Sequence, residues 1–289
     1  MTTHIVLWRG LPLTSLARAT SIFALVLGWL VLLGWQLDLP ILRSTLPGRV
    51  AMNPMTALTF MLAAGSLWLQ VEPFADRRKL WWAGRVAASL VLLVGLITLV
   101  GYVVGQNLGL DQLLFQSRLE GNRIAPNTGL SLLLLGAALL LLDWEIRPQL
   151  WPVQFILLIP ATIALTSLLG YVYGVGALYG VASYIPMALP TAVTFLVLSL
   201  GVLLARPARG LTAVVTADDP GGVLARRLLP AAILVPAFLG WLGLVSEHRG
   251  LLPTELGLAM MVVLTMLMMV FWATNGAEKT ANNAIISGS

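Results

Sequence analysis

Met52-Asn53-Pro54-Met55-Thr56-Ala57-Leu58-Thr59-Phe60 is a phrase the chain writes again, with changes, as Ile124-Ala125-Pro126-Asn127-Thr128-Gly129-Leu130-Ser131 and as Met187-Ala188-Leu189-Pro190-Thr191-Ala192-Val193-Thr194-Phe195. Each copy opens an apolar run, and prolines 54, 126 and 190 stand 72 and 64 residues apart. Self-similarity at a nearly fixed period marks one supersecondary unit used several times. Asn53 suits an N-cap, and Pro54 suits the first helical position, where a missing N–H leaves nothing unpaired. Thr56 or Thr59 can offer a hydroxyl to the first-turn donors. In the third copy the proline moves one place, to stand directly before Thr191.

The likeness reaches back into the preceding apolar run. Gly101-Tyr102-Val103-Val104-Gly105 matches Gly170-Tyr171-Val172-Tyr173-Gly174, and Gly34-Trp35 is a fainter version. The repeated unit is therefore read as a helical hairpin, and three hairpins in one orientation imply a parallel repeat about an axis near a membrane normal.

Composition fixes the solvent. Hydrophobic residues make up 58% of the 289 and charged residues 10%, with a mean hydropathy of +0.91, far from the soluble average. Runs of about 17–25 apolar residues, enough to cross a hydrocarbon core, fall at roughly 19–37, 52–70, 83–104, 127–142, 152–173, 188–205, 228–245 and 252–273. The expected fold is an all-α integral membrane domain over 1–273. It has three tandem hairpins (about 19–70, 83–142 and 152–205), a final pair (228–273) and a short cytoplasmic tail, 274–289. Arg9 and Arg18 before the first run resemble a signal peptide, but the run is too long for one and reads as a retained first helix. With the N-terminus inside, twelve Lys and Arg fall on inner segments and five (Arg43, Arg49, Arg118, Arg123, Arg249) on outer loops. That bias puts both termini in the cytoplasm, and the net charge of +5 then sets orientation and not nucleic-acid binding. Trp35, Trp68, Trp81, Trp82, Trp144, Trp151 and Trp272 fall near span ends, as rings at headgroup level do.

Chemistry is sparse. The chain has no cysteine and two histidines, His4 and His248, so disulfides and thiolate metal sites are excluded, and neither histidine is placed within a span. No ionisable residue falls mid-span, which weighs against a proton-coupled transporter or a voltage sensor. No catalytic or metal-binding set is expected, and no cofactor is named by the residues. Three helix N-termini at one face form either a site for an anion or polar ligand or simply three neat helix starts. The loop 106–125, with Asp111, Gln112, Gln116, Arg118, Glu120, Asn122 and Arg123, is a solvated loop or a recognition loop; its Leu114-Phe115 pair points to a short interfacial helix. The charge-free segment 174–187 packs on the bundle or lines an apolar pocket with Tyr171 and Tyr173. Candidate ligand residues are thus Asn53, Thr56, Arg118, Arg123, Asn127, Thr128, Tyr171, Tyr173 and Thr191. Met260, Met261, Met266, Met268 and Met269 read as adaptable packing in span eight, Pro230 and Pro236 as a kink or hinge in span seven, and 218–222 as a cytoplasmic turn.

At the repeated helix starts, and at Gly201-Val202-Leu203-Leu204-Ala205-Arg206-Pro207, Ala225-Arg226-Arg227-Leu228-Leu229-Pro230 and Thr254-Glu255-Leu256-Gly257-Leu258-Ala259, the chain resembles the multi-pass N-terminal membrane module of bacterial sensor histidine kinases and diguanylate cyclases, the membrane-associated sensor domains. The resemblance covers the chain to about Trp272. It implies a non-enzymatic input domain of the bacterial inner membrane whose last helix leads to a kinase or cyclase domain, with lipids and a second copy as further partners. After Trp272 there is no heptad-bearing helix and no phosphoacceptor histidine, so the chain is expected to be either a fragment of a longer receptor or a free-standing relative. An accessory subunit of a larger membrane complex is the alternative; a transporter fits less well.

Overall fold

The computed structural model describes residues 6–7, 11–44, 49–71, 77–146, 151–174, 186–217, 219–248 and 262–266. They are helical apart from a two-residue ladder, Val6–Leu7 antiparallel to Leu11–Pro12, and irregular connections. The helices are α1 (Leu13–Gln36), α2 (Pro40–Ser44), α3 (Pro54–Gln70), α4 (Arg78–Val104), α5 (Pro126–Leu140), α6 (Pro152–Tyr173), α7 (Leu189–Leu204), α8 (Gly210–Thr216) and α9 (Pro220–His248). The chain divides into two compact units after Gly210.

In the first unit, long and short helices alternate. With 24, 27 and 22 residues, α1, α4 and α6 are about 36, 40 and 33 Å long at 1.5 Å per residue, and all three are long and apolar enough to cross a membrane. The shorter helices α3, α5 and α7 have 17, 15 and 16 residues, about 23–26 Å, less than a hydrocarbon core of about 30 Å. Four described helices reach crossing length, the fourth lying within α9; the eight-span expectation is not met by length alone. Packing explains the difference. Each long helix lies against two short ones, in the closed order α1, α3, α4, α5, α6, α7 and back to α1, while α3, α5 and α7 also touch one another. The short helices form the centre and the long ones the wall. Val26 and Trp29 on α1, Val86 and Leu93 on α4, and Phe155 and Leu158 on α6 are exposed, whereas the described large apolar side chains of α3 and α5 are not, and α7 exposes Leu200 alone among its own. A continuous apolar exterior of this kind is the surface of a membrane protein.

The central helices share one register. Counting the first helical residue as position one, positions 3, 4, 6, 7, 10, 11, 13 and 14 are buried in all three: Thr56, Thr128 and Thr191 at position 3, and Phe60, Leu132 and Phe195 at position 7. Phe60 and Phe195 meet edge to face, centroids 4.7 Å apart. At position 6 the hydroxyls of Thr59, Ser131 and Thr194 donate to the carbonyls of Met55, Asn127 and Pro190, four residues back, at 2.7, 2.8 and 2.7 Å. Threonine, and not proline, keeps the register. The proline slides from the first position to the second because neither position needs an N–H.

The wall helices end alike. Trp35 Nε1 donates to the Met52 carbonyl (2.8 Å), and the hydroxyls of Tyr102 and Tyr171 donate to the carbonyls of Ile124 and Met187 (2.9 and 2.8 Å). Each acceptor stands immediately before the N-cap of the next central helix, so one aromatic donor fastens each hairpin. Three residues past each aromatic the backbone turns left-handed, at Asp38 (φ 56°), Gly105 (φ 70°) and Gly174 (φ 71°), ending the helix where glycine is usual. Trp35 is thus buried at a hairpin and is no interface anchor. Trp151 is likewise fully buried, donating to the Leu142 carbonyl at 3.0 Å. Trp82 and Trp144 remain exposed.

Other sequence expectations change in detail. α1 and α4 begin at Leu13 and Arg78, five to six residues before their apolar runs, because Thr14, Ser15, Arg78 and Lys79 are tolerated in a helix outside the hydrocarbon. In the second unit, the segment read as a turn is a helix start: Asp219 Oδ1 accepts the Gly222 N–H at 2.7 Å, and Pro220 opens α9. Pro230 and Pro236 lie inside that helix, where proline kinks form. Arg226 donates to the carbonyls of Val215 and Ala217 at 2.7 and 2.9 Å. Apart from 262–266, span eight lies outside the described residues, as do 175–185, the tail and His4.

Candidate functional site

The ends of α1 and α4 and the starts of α3 and α5 meet in a polar cluster whose centre is Asn53. Its Oδ1 accepts the Met55 N–H at 2.9 Å, making it the N-cap of α3. Its Nδ2 donates to the Asp111 carbonyl at 3.1 Å and to Asn122 Oδ1 at 3.2 Å. Asn122 in turn donates to the Ala51 carbonyl at 2.9 Å. One buried amide therefore joins the 106–125 loop to the start of a central helix, and every polar end of it is used.

The loop is partly solvated, with Gln106, Asn107, Gln116 and Glu120 exposed, and partly packed. Two single 3₁₀ turns, Leu110–Gln112 and Gln116–Arg118, replace the short helix expected at Leu114-Phe115, because Phe115 sits at φ 54°, a conformation no right-handed helix contains. Leu119 and Ile124 are buried and hold the loop down. Asp111 is buried too, with its Oδ2 3.3 Å from Arg123 Nε, and the Arg123 guanidinium lies 5.3 Å from the Tyr102 ring centroid. Arg118 donates to the carbonyls of Trp35 and Gln36 at 2.7 and 2.6 Å. It thereby satisfies the last turn of α1 and complements its dipole, so this candidate ligand residue has a structural task.

Of the sequence candidates, Asn53 and Arg123 come together through Asp111 and Asn122. Thr56, Thr128 and Thr191 are buried under the three first turns and present no hydroxyl to a ligand from solvent. Asn127 turns its Oδ1 to the Thr128 N–H at 2.9 Å. Tyr171 belongs to the third hairpin's fastening, with the Arg49 guanidinium 5.9 Å from its ring centroid, and Tyr173 ends α6; the pocket imagined around them would need 175–185, outside the described residues. α5 and α7 start after Ala125 and Ala188 with no side-chain cap. Asp111 and Asn122 were legible only as members of a polar loop. What marks them out is the burial of Asp111 and the bonding of Asn122 to Asn53 and Ala51, neither of which composition reports.

The opposite end is held by arginines. Arg206 donates to Asp143 at 2.8 Å and to the Gln70 carbonyl ending α3 at 3.2 Å. Arg209 pairs with Glu145 at 2.7 Å and reaches the Leu142 carbonyl at 3.4 Å, and Arg85 donates to the Leu140 carbonyl at 2.9 Å. Charge at helix C-termini is favourable, and these bonds tie the central helices together where their carbonyls run out. Part of the arginine bias read as orientation is therefore helix capping. Among the described residues no group of three His, Asp or Glu could hold a metal ion.

The chain matches no protein-family model, no curated protein and no solved structure at significant similarity.

Proposed function

We propose that the chain is a non-enzymatic signal-input module of a bacterial inner membrane: one hairpin used three times builds a six-helix body, and α9 with the segment after it carries the output. On this reading the chain crosses the membrane eight times with both termini in the cytoplasm, and the end bearing Asn53 faces outward. The observation that carries the reading is the bonding of Asn53, Asp111, Asn122 and Arg118, which links a surface loop to the end of α1 and the start of α3. A ligand or bilayer change that moved the loop would act directly on a central helix, and a shift between two packed arrangements is how such bodies signal.

Apolar side chains exposed along α9, including Ile233, Leu234, Phe238 and Leu242, favour a second reading, an accessory subunit that packs on a larger membrane complex. Two measurements on the native gene and membrane separate them. The signalling reading expects an open frame past the Ser289 codon that continues through a helical linker into a kinase or cyclase, or a separate output protein whose activity responds to the chain. A stop at that codon together with stoichiometric co-purification in a larger assembly, with no output activity, would overturn it in favour of the subunit.

A further inference from the structure

Among the described residues, α3 is the one central helix whose N-cap side chain bonds another element. Asn53 joins it to Asp111 and Asn122, whereas α5 and α7 start without a side-chain cap. The far end of α3 is held from elsewhere too, because the Gln70 carbonyl that closes the helix accepts Arg206 Nη2 at 3.2 Å. The same guanidinium gives Nε to Asp143 Oδ1 at 2.8 Å and Nη1 to the Ala205 carbonyl at 3.0 Å. It thus ties the last turn of α3 to the chain just past α5 and α7. Arg206 stands four residues before Gly210, where the first compact unit ends. Between its two ends α3 runs 17 residues with no interior proline to break its hydrogen-bond ladder. The ends are not equally settled. Every polar end of the Asn53 amide is bonded; Gln70 gives its Nε2 to Ser66 Oγ at 2.9 Å, but its buried Oε1 has no donor among the described residues. A buried orphan acceptor raises the free energy of the arrangement that holds it. That narrows the gap to an arrangement in which the last turn of α3 has moved.

We infer that α3 is a rod that carries displacement of the 106–125 loop to the 205–210 stretch, and that Arg206 is the positioning residue at which the movement is handed on. The inference rests on the signalling reading for its purpose and gives that reading its moving part. A shift at Asn53 moves the helix, and the Gln70 carbonyl takes Arg206 with it. The two ends lie about 26 Å apart at 1.5 Å per residue, within the range over which rigid, packed elements couple sites. A second contact of α3 with α7, between the rings of Phe60 and Phe195, enters near mid-helix. It does not pass through the guanidinium, so the two routes separate when Arg206 is replaced.

The test is hydrogen exchange on the full purified chain, read over 202–210, where the N–H groups of Ala205 and Arg209 donate to the carbonyls of Gly201 and Arg206, each at 3.0 Å. Asn53→Asp is expected to quicken exchange there at least about fivefold, the lower end of ordinary coupling between sites. In an Arg206→Gln background the same change at Asn53 should add nothing further. Gly136→Ala, whose added methyl would meet the Leu92 backbone, sets the level that general loosening reaches, and the Asn53 effect should exceed it. A merely structural Arg206 would instead give additive rates. An unchanged rate over 202–210, a rate no higher than in Gly136→Ala, or an equal gain with Arg206→Gln present would overturn the inference. Should Asn53→Asp fail to fold, Asn122→Ala, which keeps the Asn53 cap, takes its place. A native stop at the Ser289 codon with no output activity would sink the signalling reading and leave this coupling standing, since the chain alone carries it.

Discussion

Replacing Gly136 with alanine is expected to lower the melting temperature of the purified protein by about 5–10 °C, the shift that roughly 2–3 kcal/mol of overpacking gives in a chain of this size. The reason is a backbone approach. A Cβ at Gly136 would stand 2.5 Å from the Leu92 amide nitrogen and 2.7 Å from its Cα, and backbone cannot swing aside as a side-chain end can. Gly95 faces the same crossing from the other side, where a Cβ would meet the Leu133 amide and the Gly129 carbonyl. Between lipid-like surfaces close packing is the main attraction between helices, so small residues at the crossing carry it. Gly65→Ala is the control. It has nothing within 4 Å of the added methyl and should gain a few tenths to about 1 kcal/mol from helix propensity. An unchanged melting temperature for Gly136→Ala, with Gly65→Ala also unchanged, would mean that α4 and α5 do not cross so closely.

Asn53→Leu should cost about 2–4 kcal/mol, the sum of a lost N-cap, worth about 1 kcal/mol, and the buried Asp111 carbonyl left without its donor, at about 1–3 kcal/mol; the half-buried Asn122 can turn to water. Asn53→Asp separates the two parts. It keeps an oxygen for the Met55 N–H but removes both donors, so it should fall nearly as far as the leucine variant. Hydrogen exchange should quicken in the 106–125 loop as well as in the first turn of α3. A melting temperature for Asn53→Asp equal to wild type would reduce Asn53 to a cap and remove the link on which the signalling proposal rests.

Much of the architecture is legible in the residues because apolar runs and helix-start chemistry are local. The runs at 52–70, 152–173 and 188–205 lie within two residues of α3, α6 and α7 at each end. What apolarity does not reveal is whether a helix faces lipid or protein: Leu132 and Leu135 on α5 are as apolar as Leu90 and Leu93 on α4, yet the first pair is buried and the second exposed. The proline that moves one place before Thr191 was legible, but that threonine and not proline keeps the register shows only in the burial shared by Thr56, Thr128 and Thr191. Trp35 and Trp151 fail as interface anchors for a related reason, since a ring with one N–H near a span end reads the same whether a carbonyl or water takes the proton. Arg118 was legible as a cation in a polar loop, but the open carbonyls of α1, 83 residues back for Trp35, come to it only through the fold.

The arrangement of three short helices inside three long ones is tested most directly by lipid accessibility. Because these 289 residues contain no cysteine, single-cysteine variants report one position each. Ala64, Ala138 and Ala192 represent the centre, and Val26, Leu93 and Leu158 the wall. Treated in native membranes with a small bilayer-soluble alkylating reagent, the three wall positions are expected to react at least about tenfold faster than the three central ones, which are fully buried. Labelling of Ala64 or Ala138 at the rate of Leu93 would contradict the account, because a central helix would then face lipid.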